Sequence, residues 1–482
     1  MGRGHPLGLR AYYVDPGLTP IQRHWVEQAV RSHRIPQRLV PDGYTCQTGH
    51  PDVSASCSRR TGPLGSGTVV EVTPVGTYQP EGYVLPGLLM RFGWNPASAN
   101  ILGRIGAALS AMALLAWAIT LLGCGANHVG SALSGLLVAV TPMVVFTGAT
   151  VSPSGIEIMS AVAFVAALIR LTRTAKFTSY TALAVVSTGS ILALSRSLGP
   201  LWVTLHLAIF VLLTGPRLAA RLFLRDRKGL IATSGLMLAM VLNRVWELEY
   251  GPTVSFRIET LASILDGFAH LPNIITQQIG NFGWLDTPMP SLCYVLWRGM
   301  IWTMVIITLL VANRSERRIF GLYLSLAAVV PVFLHVTYAV HTGFYVQGRH
   351  VLPLSVGIPI YAGEIIRRHR SQLAFISPLT LIRMIAPAVA LVHALGWYAN
   401  ARRSAVGAHG PIAFFRGHGW SPVGGWWLWI SVTALGTLLL ASTGISRRSL
   451  DACRTRAHPA EPNDAYKSAI ARAPFAEGEV PM

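Results

Sequence analysis

The residues able to do chemistry in this chain fall at the borders of long apolar runs. Asn281-Phe282-Gly283-Trp284-Leu285-Asp286-Thr287-Pro288-Met289-Pro290 sets a carboxylate beside an indole, followed by prolines that cannot continue a helix and then a hydrophobic run. A carboxyl group held where a chain re-enters a membrane loses hydration, which raises its pKa towards the range useful for general acid or base work. Asp286 therefore has two readings, a catalytic acid or base and an N-cap, because Asp-Thr-Pro also matches a helix start. Trp284 either stacks on a sugar or prenyl chain or belongs to the interfacial aromatic belt.

Glu157 follows Pro153 and Gly155 at the head of an apolar segment. It is either part of a polar site within a span or an acid complementing the helix dipole in the first turn. Arg104, Arg196, Arg298 and Arg349 lie inside or at the outer edge of apolar segments. A guanidinium keeps its charge when buried and makes forked bonds to phosphate oxygens. Arg349 (beside Tyr345 and Gln347), Arg196 (in Ser195-Arg196-Ser197) and Arg104 are the expected lipid-phosphate or substrate binders. Snorkelling, or pairing with Glu157 or Asp286, is the competing account, and Arg298 and Arg383 are expected to be structural. His24 has the chemistry for proton transfer or metal binding, although a lone loop histidine commonly does neither. No metal site is expected, because the acids are too few and too scattered; a divalent ion stays open without a residue set to hold it. No cofactor is expected, and no Walker loop, HExxH, glycine fingerprint or EF-hand loop is present.

These residues must be positioned by membrane helices. The chain has 482 residues, of which 52% are hydrophobic and 12% charged, and its mean hydropathy is +0.47. Soluble proteins carry about a quarter charged residues. The net charge of +19 sits mostly in short loops, so membrane orientation explains it and nucleic-acid binding does not. Eleven spans are expected, near 101–122, 129–148, 156–172, 179–195, 199–215, 229–246, 291–312, 319–340, 348–366, 376–398 and 424–443. Before them, residues 1–100 read as an outer loop, with no signal-peptide core. Residues 247–290 read as a second outer loop, with an amphipathic helix over 253–280 carrying Phe256, Leu261, Ile264, Leu265 and Phe268. Residues 399–423 form a third outer loop, and 444–482 a cytoplasmic disordered tail.

Arg170, Arg173, Lys176, Arg217, Arg221, Arg225, Arg227, Lys228, Arg314, Arg317, Arg318, Arg367, Arg368 and Arg370 occupy one set of loops. The alternate set holds only Arg196, Arg257, Arg402, Arg403 and Arg416. The first set is therefore expected in the cytoplasm, with the C-terminus. Residues 1–100 then lie outside, which implies a twelfth, preceding span. Cys46 and Cys57 share this outer region, where they either pair or stay free; Cys124, Cys293 and Cys453 are scattered.

Taken together, six segments resemble the DUF2142 family of bacterial membrane proteins. They are Arg104 with its small-residue helix, Thr141-Pro142-Met143, Ser152-Pro153-Ser154-Gly155-Ile156-Glu157, Gly283 to Pro288, Gln347-Gly348-Arg349-His350-Val351-Leu352-Pro353-Leu354, and Asn400-Ala401-Arg402-Arg403. That family is grouped with the GT-C glycosyltransferases, which take sugars from polyprenyl-phosphate carriers on the outer face. The resemblance implies an all-α, polytopic, GT-C-like helix bundle. It implies as partners membrane lipids, a polyprenyl-phosphate sugar and an envelope glycan acceptor at the plasma membrane. The family's Asp-Glu pair before a histidine is replaced here by Pro20 and Ile21, ahead of His24. Either Asp15, Glu27 or Glu81, the last within Tyr78-Gln79-Pro80-Glu81-Gly82-Tyr83, substitutes for it, or the chain is inactive. A GT-C-like transferase is the leading expectation; a lipid or polymer flippase and a non-catalytic family member are its rivals.

Overall fold

Within hydrocarbon a backbone must satisfy its own hydrogen bonds, so the apolar runs fold as helices. The structure, a computed structural model, describes residues 8–11, 17–40, 46–59, 67–73, 75–123, 129–252, 261–339, 342–373, 378–416 and 419–443. Asp15, Cys124, Phe256, Arg257, His418, Cys453 and the expected tail at 444–482 lie outside these residues.

The first hundred residues hold more regular structure than an outer loop was expected to have. β1 (Leu9–Arg10), β2 (Arg31–Pro36) and β3 (Thr68–Thr73) form an antiparallel sheet in the order β1-β2-β3, with Arg31 opposite Thr73 and Pro36 opposite Thr68. Helix α1 (Pro20–Ala29) begins at a capping box in which Thr19 and Gln22 bond each other's backbone N–H. Pro20 thus serves as its first-turn proline. Gln22 also donates to the Gly343 carbonyl at 2.7 Å, tying α1 to the far half of the chain. Cys46 and Cys57 are joined by a disulfide. The remaining N-terminal helix is α2 (Val84–Met90).

Then come α3 (Pro96–Gly123), α4 (Val129–Ala139), α5 (Pro142–Gly148), α6 (Pro153–Thr174), α7 (Ser179–Ser195), α8 (Gly199–Thr214), α9 (Pro216–Ala220) and α10 (Arg227–Tyr250). Beyond the amphipathic α11 (Leu261–Gly280) follow α12 (Ser291–Val311), α13 (Arg314–Leu334), α14 (Gly348–Ser355), α15 (Gly357–Arg368), α16 (Pro378–Val406) and α17 (Gly425–Ser442). An all-α polytopic bundle is what these elements build. Among the described residues seven helices are long and apolar enough to cross a membrane, and up to nine if each of two bent pairs is one span.

The shortfall from eleven has local causes. The 129–148 segment bends by 69° between α4 and α5, where Thr141 caps Val144 N–H and Pro142 starts the second helix. The 199–215 segment continues into Pro216–Arg225 through a 119° bend. The 179–195 segment, α7, is only 17 residues long. The 348–366 segment breaks between α14 and α15. At that break His206 Nε2 meets the Pro353 carbonyl at 2.8 Å, and the Tyr323 hydroxyl donates to the Leu354 carbonyl at 2.7 Å. A Cβ on Gly357 would collide with the buried Tyr323 hydroxyl, so any larger residue here forces Tyr323 to move.

At the centre stands α6, whose apolar window is 89% buried against its neighbours. It carries Glu157 near one end and Arg173 near the other, sixteen residues and about 24 Å apart along the axis. At the Arg173 end, Glu364 accepts from Arg173 at 2.7 Å, Arg367 at 2.9 Å and Arg368 at 3.1 Å. Glu316 meets His369 at 2.5 Å and Arg368 at 3.7 Å. Part of the basic loop set thus folds into one ion network around two glutamates.

Candidate functional site

The opposite end of α6 gathers the other charges. Ser152 caps α6 through Ser154 N–H, and Pro153 occupies its first turn. This puts Glu157 beyond the first turn, so the dipole reading is corrected: its side chain is 1% exposed and packed inside the bundle. Trp202 Nε1 of α8 donates to Glu157 Oε1 at 3.0 Å, while Oε2 is buried without a hydrogen-bond partner. The nearest cation is Arg196, 3.9 Å away. Arg196 sits at the α7–α8 turn, where Asn243 Nδ2 of α10 donates to its carbonyl at 2.9 Å. Its guanidinium donates to Ser154 Oγ at 3.0 Å and stands 5.7 Å from the centre of the Tyr78 ring.

Tyr78 belongs to the loop 77–83, which is lashed to the end of α10. Trp246 Nε1 donates to the Thr77 carbonyl at 2.9 Å, and Gln79 Nε2 donates to Glu247 Oε1 at 2.6 Å. Gly82 lies against the start of α6, where a Cβ would stand 3.1 Å from Pro153 Cα. Burial pushes the neighbouring Glu81 carboxyl above its ordinary value, and its Oε2 has no hydrogen-bond partner. Arg349, in the first turn of α14, lies in the electrostatic field of Arg196 and Tyr78, and its Nε is buried and unbonded. His350 lies in the field of both arginines, and Tyr338 in that of Arg196. Gly348 permits this approach: its N–H donates to Gln277 Oε1 at 2.8 Å, and a Cβ would press to 2.6 Å on Gln277 and Gln278.

Arg196 and Arg349 thus lie within electrostatic reach of each other, and Arg196 lies within reach of two carboxylates, Glu157 and Glu247. The buried Arg349 Nε is an N–H donor that an anionic oxygen would satisfy.

The other sequence-predicted residues lie elsewhere. Asp286 is in the turn of a hairpin made by β4 (Asn281–Phe282) and β5 (Thr287–Pro288). It does not cap α12, whose N-cap is Pro290 without a side-chain bond. Its carboxylate accepts from Thr287 Oγ1 at 2.9 Å and pairs with Arg403 at 3.0 Å. Arg403 also donates to the carbonyls of Gln47, His50 and Val53, so the pair clamps the disulfide loop onto the end of α16. Trp284 is 55% exposed in that turn. Arg104 is exposed and donates to the Ala149 carbonyl at 3.1 Å. His24 is exposed on α1, 3.4 Å from Gln28. Tyr345 is exposed and stacks on His270 and His335.

Ser154, Trp202, Tyr338, Glu247 and His350 went unread as site residues. The only advance signal was local, since Ser154 and His350 adjoin residues already singled out.

An apolar cavity of about 210 Å³ lies between α4, α11, α12, α13, α14 and α15, lined among others by Val138, Ile275, Ile301, Trp302, Leu324 and Pro359. Neither Arg196 nor Arg349 lines it. A family model described as a predicted membrane protein (DUF2142) matches residues 9–358, a stretch that includes the whole arginine cluster. No curated protein and no solved structure matches the chain.

Proposed function

Because the chain belongs to the DUF2142 family of predicted membrane proteins, we propose that it works on a lipid-linked phosphate at the outer face of the plasma membrane, as a GT-C-like glycosyltransferase. The observation that carries this reading is the buried, unbonded Nε of Arg349 within electrostatic reach of Arg196. An oxygen of a polyprenyl phosphate accepts from the Arg349 Nε, and the prenyl chain runs among the apolar helices. Glu157, fixed by Trp202, orients Arg196.

The acceptor hydroxyl attacks the anomeric carbon, forming the new C–O bond. The bond from that carbon to the phosphate oxygen breaks, and the electron pair leaves on the phosphate, where the two arginines stabilise it. Glu81, on the loop that brings Tyr78 against Arg196, takes the hydroxyl proton. Orientation follows the loop charges, with the Glu364 network inside; the Cys46–Cys57 disulfide supports an oxidising compartment for the opposite end.

The test uses full-length protein in proteoliposomes with a labelled polyprenyl-phosphate hexose and an envelope glycan acceptor. Labelled glycan is expected from the unmodified protein and not from Glu81→Gln. Lipid retained equally by the Arg196→Gln, Arg349→Gln double variant would remove the phosphate site. A flippase is the second reading, favoured by the two bent helix pairs. Lipid scrambling without sugar transfer would select it.

A further inference from the structure

A second cluster of side chains lies behind the same stretch of backbone. Past Pro331, which has no N–H to donate, α13 ends in a π-helical turn, His335–Ala339. This turn presents Tyr338 to the arginine cluster and His335 to α11. His335 Nε2 is 3.0 Å from Asp266 Oδ2, and its side chain is 3% exposed. His270, one helical turn from Asp266, places Nδ1 3.3 Å from Asp266 Oδ1 and 3.0 Å from the Asp266 carbonyl. One ligand atom from each of the three residues lies within 4.8 Å of the others. The ring of Tyr345 stacks on both imidazoles, at centroid distances of 4.9 and 5.3 Å.

His335 differs from two other histidines of the bundle. His206 and His393 each spend a ring nitrogen on a backbone carbonyl, of Pro353 and Val140. Among the described residues His335 has no carbonyl partner, and its Nδ1 is buried without a hydrogen-bond partner. Two imidazoles and one carboxylate are the donor set of a borderline-soft divalent ion. Around zinc at about 2.0–2.1 Å, tetrahedral ligand atoms stand roughly 3.4 Å apart. The two nitrogen-to-carboxylate distances, 3.0 and 3.3 Å, are already that short, and all three ligand atoms lie within 4.8 Å of one another.

We propose that Asp266, His270 and His335 bind a divalent transition metal of the zinc class, which fastens α11 to the π-helical turn holding Tyr338. Three protein ligands leave a fourth position for water or an anionic oxygen. The site does not depend on the arginine cluster's taking a lipid phosphate, because its readout is the metal itself.

The experiment takes the full-length chain in detergent, without a histidine tag, stripped with chelator and titrated with Zn²⁺ alone and with Co²⁺ alone. About one equivalent should bind, with the visible absorption of tetrahedral Co²⁺ and a rise in Tm that Zn²⁺ confers by binding only the folded state. Asp266→Asn, at a half-exposed position, and His270→Ala should each weaken binding by more than about 100-fold, beyond the 10–100-fold loss typical of an outer-shell partner. His409→Ala, which removes the exposed histidine paired with Asp52, should leave binding intact. Binding well below one equivalent, or unchanged binding and Tm shift in both ligand variants, would overturn the proposal.

Discussion

Arg349 Nε is buried without a partner, yet its helix start is fixed by the bond from Gly348 N–H to Gln277. A donor held in place but unused is what a phosphate oxygen would engage, and a hydrogen bond to a charged group is worth about 1.5–3 kcal/mol. Arg349→Gln should therefore weaken retention of a polyprenyl-phosphate lipid by roughly 10–100-fold, measured on protein in micelles, with Tm little changed. Glu81 makes a prediction in pH. A base must be ionised, and burial raises this carboxyl above its ordinary value. Turnover should therefore fall as pH drops through a pKa above the ordinary Glu value of about 4.3, and Glu81→Gln should abolish that acid limb together with the activity. An acid limb that survives in the variant assigns the proton to another group. Asp286 stands apart from both effects: its carboxylate is paired with Arg403, and Asp286→Asn should loosen the disulfide loop more than it alters chemistry.

The loop 77–83 is the element on which the site depends, and its fit rests on one glycine. A side chain at Gly82 would meet Pro153 Cα at 3.1 Å and the Ile156 side chain at 3.2 Å, and the helix backbone cannot yield as a flexible side chain can. Gly82→Val should displace Tyr78 from Arg196 and lower lipid retention about as much as losing Arg349, while overpacking costs about 1–3 kcal/mol of stability; retention assays and thermal unfolding check the two parts. This element also marks how far the sequence could be read. Long apolar windows disclosed α3, α6, α10, α12, α13, α16 and α17, because hydrophobic length is local information. Thr141-Pro142 and Ser152-Pro153 were legible as motifs, and the structure gives them a plain cause as helix caps. The four arginines were legible because charge inside an apolar run is conspicuous. The partnership of Tyr78 with Arg196, like that of Asp286 with Arg403, joins residues more than a hundred positions apart, and no spacing encodes it. The break between α14 and α15 was likewise hidden inside an apolar segment.

Across the whole molecule, α6 joins two unlike ends. One sets Arg196 beside Glu157 at 3.9 Å, a loose pair; the other has Glu364, 2% exposed at its side chain, bound by Arg173, Arg367 and Arg368. Three guanidinium groups converge on that carboxylate, and neutralising it leaves them facing one another with little water to screen them. Breaking a buried pair by removing one partner costs about 3–5 kcal/mol. Glu364→Gln should therefore lower the unfolding midpoint in detergent sharply, whereas Arg368→Gln, which leaves two cations on Glu364, should be milder. The same polarity makes a topological prediction. In the orientation proposed from the loop charges, with the Glu364 end in the cytoplasm, the loop held by Arg403 and closed by the Cys46–Cys57 bond is expected to face outward. In intact cells a membrane-impermeant reductant followed by an impermeant maleimide should label Cys46 and Cys57, while the buried Cys293 stays unlabelled. Labelling that appears only after the cells are opened would invert the orientation. Arg196 and Arg349 would then face cytosolic phosphates, and the case for an outer-face lipid donor would fail with it.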